Sequence, residues 1–191
     1  MTKIGIFMLQ FAYSFYWLYL IATVVFSFCH EIIHGYLLVC KGRVVKYILF
    51  SLYILIEAIL FAPLIMIALA SGVLLPAVII TLFFFGLVTA YAFISKKNFS
   101  FLSSYLFAGS VSLLLAIIIG VSFNIGMGII LPAFGIILAC GYILYDTSNI
   151  INNYNEDQYM AASIRVISSV LLLFWYVITF LLKLLAIFGD N

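Results

Sequence analysis

The feature that most limits what this chain can fold into is the length of its apolar runs. Val44–Ala70, Val73–Ser95, Phe99–Ser122, Ile129–Ile150 and Tyr159–Phe188 follow one another with brief polar breaks, and a longer run, Ile4–Cys40, precedes them. Each is long enough to cross a bilayer as a helix of about 20 residues, and far too long for a barrel strand of roughly ten alternating ones. Hydrophobic residues make up 68% of the chain and charged residues 7%, where a soluble domain carries about a quarter. The expectation is an all-α, polytopic transmembrane bundle of six helices. It forms a single domain over residues 1–191, with no stretch left for a soluble domain.

The breaks define the helices. Lys41, Gly42, Arg43 and Lys46 close the first run, Ser71-Gly72 makes a tight connection, and Lys96-Lys97-Asn98 ends the third run. The fourth run ends at Asn124-Ile-Gly-Met-Gly128, and the polar segment Ile151–Gln158 follows the fifth. Pro63 predicts a kink in the second helix. Ile4–Cys40 reads as one long helix with His30 as its natural break point; no A-x-A-like site closes it, so it is expected as a retained span. Cys29, Cys40 and Cys140 lie in or at the ends of apolar runs, read as small buried hydrophobes, and imply no disulfide framework.

Charge supplies an orientation. Lys41, Arg43, Lys46, Lys96 and Lys97 fall on one side of a six-helix arrangement, against Lys3 and Lys183 on the other. The positive-inside bias assigns the basic loops and the Asn152–Gln158 loop to the cytoplasm, and both termini to the opposite side. A net charge of +2 is too small to argue for nucleic acid. The partners expected are the lipid bilayer and membrane proteins.

Few ionisable groups lie inside the runs, and each is a candidate because burying charge in a membrane is costly. Glu57 lies roughly 20 Å along its helix from Val44, near or past the midplane. A carboxylate there is protonated, paired or facing a wet cavity, or is simply a neutral Glu hydrogen-bonded to a neighbouring helix. Asp146 lies about one turn inside the end of the fifth run, and Arg165 is at similar depth near the start of the antiparallel sixth. A buried ion pair between them is the expected arrangement; the simpler alternative has Arg165 snorkelling to the headgroups. His30-Glu31-Ile32-Ile33-His34 spells H-E-x-x-H, which on a helix sets two imidazoles one turn apart with a Glu to activate a metal-bound water. Catalytic zinc needs a third ligand, and Asp146 is the only later intramembrane Asp, so a zinc intramembrane protease stands only as an alternative. Otherwise the chain is not expected to be an enzyme, and no cofactor is expected. Glu156 and Asp157 read as solvated residues capping the last helix.

Several stretches together resemble the transmembrane Bax inhibitor motif family. They are Gly141-Tyr-Ile-Leu-Tyr-Asp146-Thr, the loop with Glu156-Asp157 and the following Tyr159-Met-Ala-Ala, and Gly86-Leu-Val-Thr-Ala-Tyr-Ala-Phe-Ile-Ser-Lys-Lys-Asn-Phe-Ser100. Glu57 near Pro63 also fits that family's third helix, and the likeness covers about Val44 to Ala162 in order. The resemblance implies a seven-helix bundle of a bacterial inner membrane or a eukaryotic organelle membrane. It also implies association with calcium leak and, in eukaryotes, with suppression of cell death. Calcium would then be the permeant ion. In the bacterial members a cytoplasmic-side aspartate pair makes the leak pH-sensitive. By resemblance Asp146 is the first of that pair, Glu31 a second-helix gate residue and Arg43 its basic partner.

The chain departs from this pattern in ways that alter the expectation. Against the seven helices that the resemblance implies, one N-terminal helix is expected to be lacking, in line with six runs, and Asn98 stands where the family usually has Asp. The second aspartate is also missing: counting from Ala162 its place falls on Ser168, and counting back from Gly189 on Tyr176. Two adjacent carboxylates share a proton and titrate as a pair; Asp146 alone beside Arg165 loses that switch. The expected function is therefore passive cation permeation or ion homeostasis with weakened proton sensing, in which Asp146, Glu57, Glu31, Arg43 and Arg165 line or gate the path. The alternative is a non-conducting membrane regulator acting through protein partners.

Overall fold

A computed structural model describes residues 30–39, 42–95, 97–123 and 128–189. Among them all regular structure is helical: α1 over residues 30–39, α2 Arg43–Ala70, α3 Leu74–Ser95, α4 Leu102–Ser122, α5 Ile130–Asn153, a 3-10 turn Glu156–Gln158 and α6 Tyr159–Gly189. The five helices from α2 onward are long and apolar enough to cross a membrane. Their bounds follow the apolar runs closely, because in lipid a backbone can satisfy its own polar groups only as a helix or a closed barrel. The part of the Ile4–Cys40 run before His30 lies outside the described residues.

α2 continues through Pro63 as one helix. It stops where Gly72 adopts a φ of 73°, a conformation that favours glycine, while Ser71 N–H reaches the Ile67 carbonyl at 3.0 Å.

The described residues pack as two compact units, with α6 giving Tyr159–Ile164 to the first and Arg165 onward to the second. The first unit also contains α1 and α2. At its polar end Lys46 Nζ donates to the Asp157 carbonyl at 3.2 Å, and the Tyr47 and Tyr159 hydroxyls are 3.2 Å apart. The second unit contains α3, α4 and α5. Pro132, Gly135, Ala139, Ile143, Asp146 and Thr147 are buried along α5 at three- and four-residue intervals, one stripe of a helix. α5 packs against both α3 and α4. Its contact with α4 is an apolar cluster of Leu106, Leu113 and Leu138 with Tyr142, Tyr145 and Tyr176 around it. The stripe that makes α5 the packed helix of this unit also carries Asp146 inward.

Candidate functional site

Asp146 is 3% exposed. Its Oδ2 accepts a hydrogen bond from the Ser169 hydroxyl on α6. The same hydroxyl lies 3.0 Å from the Arg165 carbonyl oxygen one turn back. A serine has one proton to give, so it is divided between the carboxylate and its own helix.

Arg165 reaches the phenol of Tyr154, the residue that caps the end of α5, and since guanidinium only donates, Tyr154 Oη accepts. Asp146 acts on the same phenol electrostatically. Burial pushes the Tyr154 phenol up, the Arg165 charge pulls it back, and Asp146 adds a smaller upward push; the net is upward. Tyr154 therefore stays a neutral acceptor at physiological pH. Asp146 and Arg165, paired in the sequence reading, thus bear on one phenol, and Ser169 and Tyr154 complete the group.

Counting along the sequence put the residue facing Asp146 at Ser168 or Tyr176; the structure puts Ser169 there. Ser169 is four residues beyond Arg165, on the same face of α6 and one turn deeper. That spacing is the signal that could have found it. Tyr176 packs instead on Gly135, about 16 Å before Asp146 along α5.

The turn after Asp146 is strapped to the α3–α4 connection. Ser148, 2% exposed, donates its hydroxyl to the Lys97 carbonyl at 3.0 Å and accepts from Phe99 N–H at 3.1 Å. Asn98 accepts from Ser100 N–H at 2.9 Å and from the Ser100 hydroxyl, shaping the turn that starts α4. An Asp there would offer the same acceptor oxygen. Ser148→Ala leaves a buried N–H and a carbonyl without their partner, and is expected to cost about 1–3 kcal/mol, read as a lower melting temperature in detergent. A melting temperature equal to wild type would show that water replaces the strap.

The other predicted residues lie in the first unit. Glu57 is 8% exposed and is hydrogen-bonded by the Tyr53 hydroxyl one turn earlier. Tyr53 Oη is also 3.1 Å from His30 Nδ1. His34 is buried, and its ring stacks on that of His30 at 6.4 Å. Glu31 is exposed, and the Arg43 side chain lies outside what is described. Among the described residues no three His, Cys, Asp or Glu side chains converge as a metal site, so the His30–His34 pattern gains no third ligand there.

The chain is 34% identical to the BI1-like protein of Arabidopsis thaliana over 124 residues, 62% of this chain and 46% of that protein. It is 33% identical to the Golgi anti-apoptotic protein of Vaccinia virus (strain Lister) over 57% of this chain and 46% of that one. An uncharacterized membrane protein of Vibrio cholerae is 34% identical over 56% of this chain and 46% of its own length. The chain spans about half the length of the curated relatives it matches. No solved structure matches it. The family described as Inhibitor of apoptosis-promoting Bax1 matches residues 1–189. With five membrane-length helices and a match over nearly its whole length, the chain belongs to that Bax inhibitor family, as a multi-pass integral membrane protein.

Proposed function

We propose that the protein is a passive cation leak, with calcium as the permeant ion, and that Asp146 is a gate held by a fixed latch rather than by a proton. The observation that carries this reading is the Asp146–Ser169 hydrogen bond with Arg165 and Tyr154 beside it. Carboxylates suit a hard cation, and a carboxylate bonded to a serine hydroxyl, with a guanidinium acting on the same neighbouring phenol, needs no shared proton to stay in place. Glu57 is the second carboxylate of the path; Glu31 and Arg43 enter it by family resemblance alone. A role in ion homeostasis and in restraint of cell death is the corresponding cellular reading, supported by relatives such as the vaccinia Golgi anti-apoptotic protein.

The test is calcium entry into vesicles carrying the full chain. Flux is expected to be nearly flat between about pH 6 and 8, and to change in Asp146→Asn and in Glu57→Gln. Absence of flux at every pH would end the leak reading. If those variants then changed which membrane proteins co-purify, the non-conducting regulator would take its place.

A further inference from the structure

We infer that His30, Tyr53 and Glu57 form a proton relay, a site on α1 and α2 that binds one proton and passes it between a half-buried imidazole and a buried carboxyl. It uses none of the residues around Asp146; it shares Glu57 with the proposed path, but its test reads protonation and not ion flux.

Tyr53 is 1% exposed and touches both ends of the set. A phenol can donate one hydrogen bond while accepting another, so Tyr53 can join His30 to Glu57 in two opposite senses. When Glu57 is ionised it only accepts, so the Tyr53 O–H points to it and the Tyr53 oxygen takes the N–H from His30 Nδ1. When Glu57 is protonated the chain reverses. Glu57 donates to Tyr53, and Tyr53 donates to a bare His30 Nδ1.

The two senses are connected by a balanced transfer. Starting from an imidazolium, the Nδ1–H bond of His30 breaks as a new O–H forms on Tyr53. The original Tyr53 O–H breaks as an O–H forms on Glu57. His30 ends neutral with its proton on Nε2, Tyr53 is unchanged, and Glu57 ends as the acid. Both states carry zero net charge, which a site around the buried Tyr53 and Glu57 favours over a lone carboxylate. Glu57 Oε2 is buried with no hydrogen-bond partner among the described residues, which fits a carboxyl that takes up a proton better than a permanent anion.

The neighbouring titratable groups are compatible with one proton. On α1, His34 stacks on His30, and a second imidazolium there would repel the first, while Glu31 is exposed. On α2 and the 156–164 segment, Lys46 and Asp157 meet about 10 Å along the helix from Tyr53.

The experiment is pH-difference infrared spectroscopy of the full chain in detergent or vesicles. In the wild type a protonated-carboxyl band and the imidazolium bands are expected to rise with a single midpoint, since they report one shared proton. Glu57→Gln should remove the carboxyl band. Tyr53→Phe should split the single midpoint into two separated by about one pH unit or more. Different midpoints in the wild type would overturn the relay whether or not Tyr53→Phe folds, as would midpoints that remain locked in a folded Tyr53→Phe. Stoichiometric zinc lost in His34→Ala would replace the relay by a metal centre.

Discussion

Ser169→Asp is expected to turn a nearly pH-independent protein into a pH-switched one. The Ser169 hydroxyl is within hydrogen-bonding reach of Asp146, so the substitution sets a second carboxyl against the first. Two carboxylates that close do not both stay ionised in a buried site; they share a proton and titrate as one pair. At low pH the shared proton replaces the serine hydrogen bond and the latch is intact. As pH rises the proton leaves, the two anions repel, and the latch is lost. Arg165 is near enough to offset part of that repulsion, so the loss is set at about 2 kcal/mol, equivalent to one or two pH units in the protonation of one group. The variant should therefore melt at lower temperature as pH rises, while the wild type changes little. If the protein conducts, flux through the variant should rise with pH over the range where the wild type is flat. A variant whose melting temperature and flux follow the wild type at every pH would show that Ser169 does not face Asp146. Ser169→Ala serves as the control, since it removes the bond and adds no charge.

Gly135→Ala should destabilise the protein, although alanine is by about 1 kcal/mol the better helix former. A Cβ at Gly135 would overlap the Tyr176 ring. That ring is rigid and packed into the cluster around Leu106, Leu113 and Leu138, so relief requires α5 and α6 to move apart. Overpacking of this kind costs about 1–3 kcal/mol. Gly109 and Gly141 provide the comparison. Their added Cβ atoms would meet Leu138 Cδ1 at 2.6 Å and Leu106 Cδ2 at 2.7 Å, the ends of side chains that can rotate away. Alanine at either should be much better tolerated. Tyr176→Leu should rescue Gly135→Ala in a double-mutant cycle, because the two changes share one contact. Equal melting temperatures for Gly135→Ala and wild type would remove the close crossing of α5 and α6 at this point.

These two sites also mark how far the sequence alone reaches. The spans from Val44 to Phe188 were legible because apolar length has few solutions in a membrane. That Asp146 and Arg165 come near one another was legible because a short loop forces antiparallel neighbours, although the residue that meets Asp146 is Ser169, one turn beyond Arg165. Ser169 was not. Adjacent serines at 168 and 169 point about 100° apart on a helix, and counting from distant anchors does not fix a helix to one residue. Tyr154 gave no sign, since aromatic residues at a membrane edge are common for other reasons. The His30–Tyr53 contact joins two helices whose relative rotation no local pattern reveals, and the hydrogen bond expected for Glu57 from a neighbouring helix comes instead from Tyr53, one turn earlier on its own helix.

The Ser148 strap has a mechanical consequence. Ser148 is two residues beyond Asp146 on α5 and holds both Lys97 and Phe99. A displacement of that turn of α5 is thus transmitted to the α3–α4 connection, and a load on the connection returns to Asp146. By linkage, a molecule that binds the Lys97–Phe99 loop differently in two positions of α5 biases which position Asp146 occupies, and to the same degree the position of Asp146 sets how tightly that molecule is held. The loop that the charge pattern assigns to the cytoplasm is a handle on a group buried in the membrane.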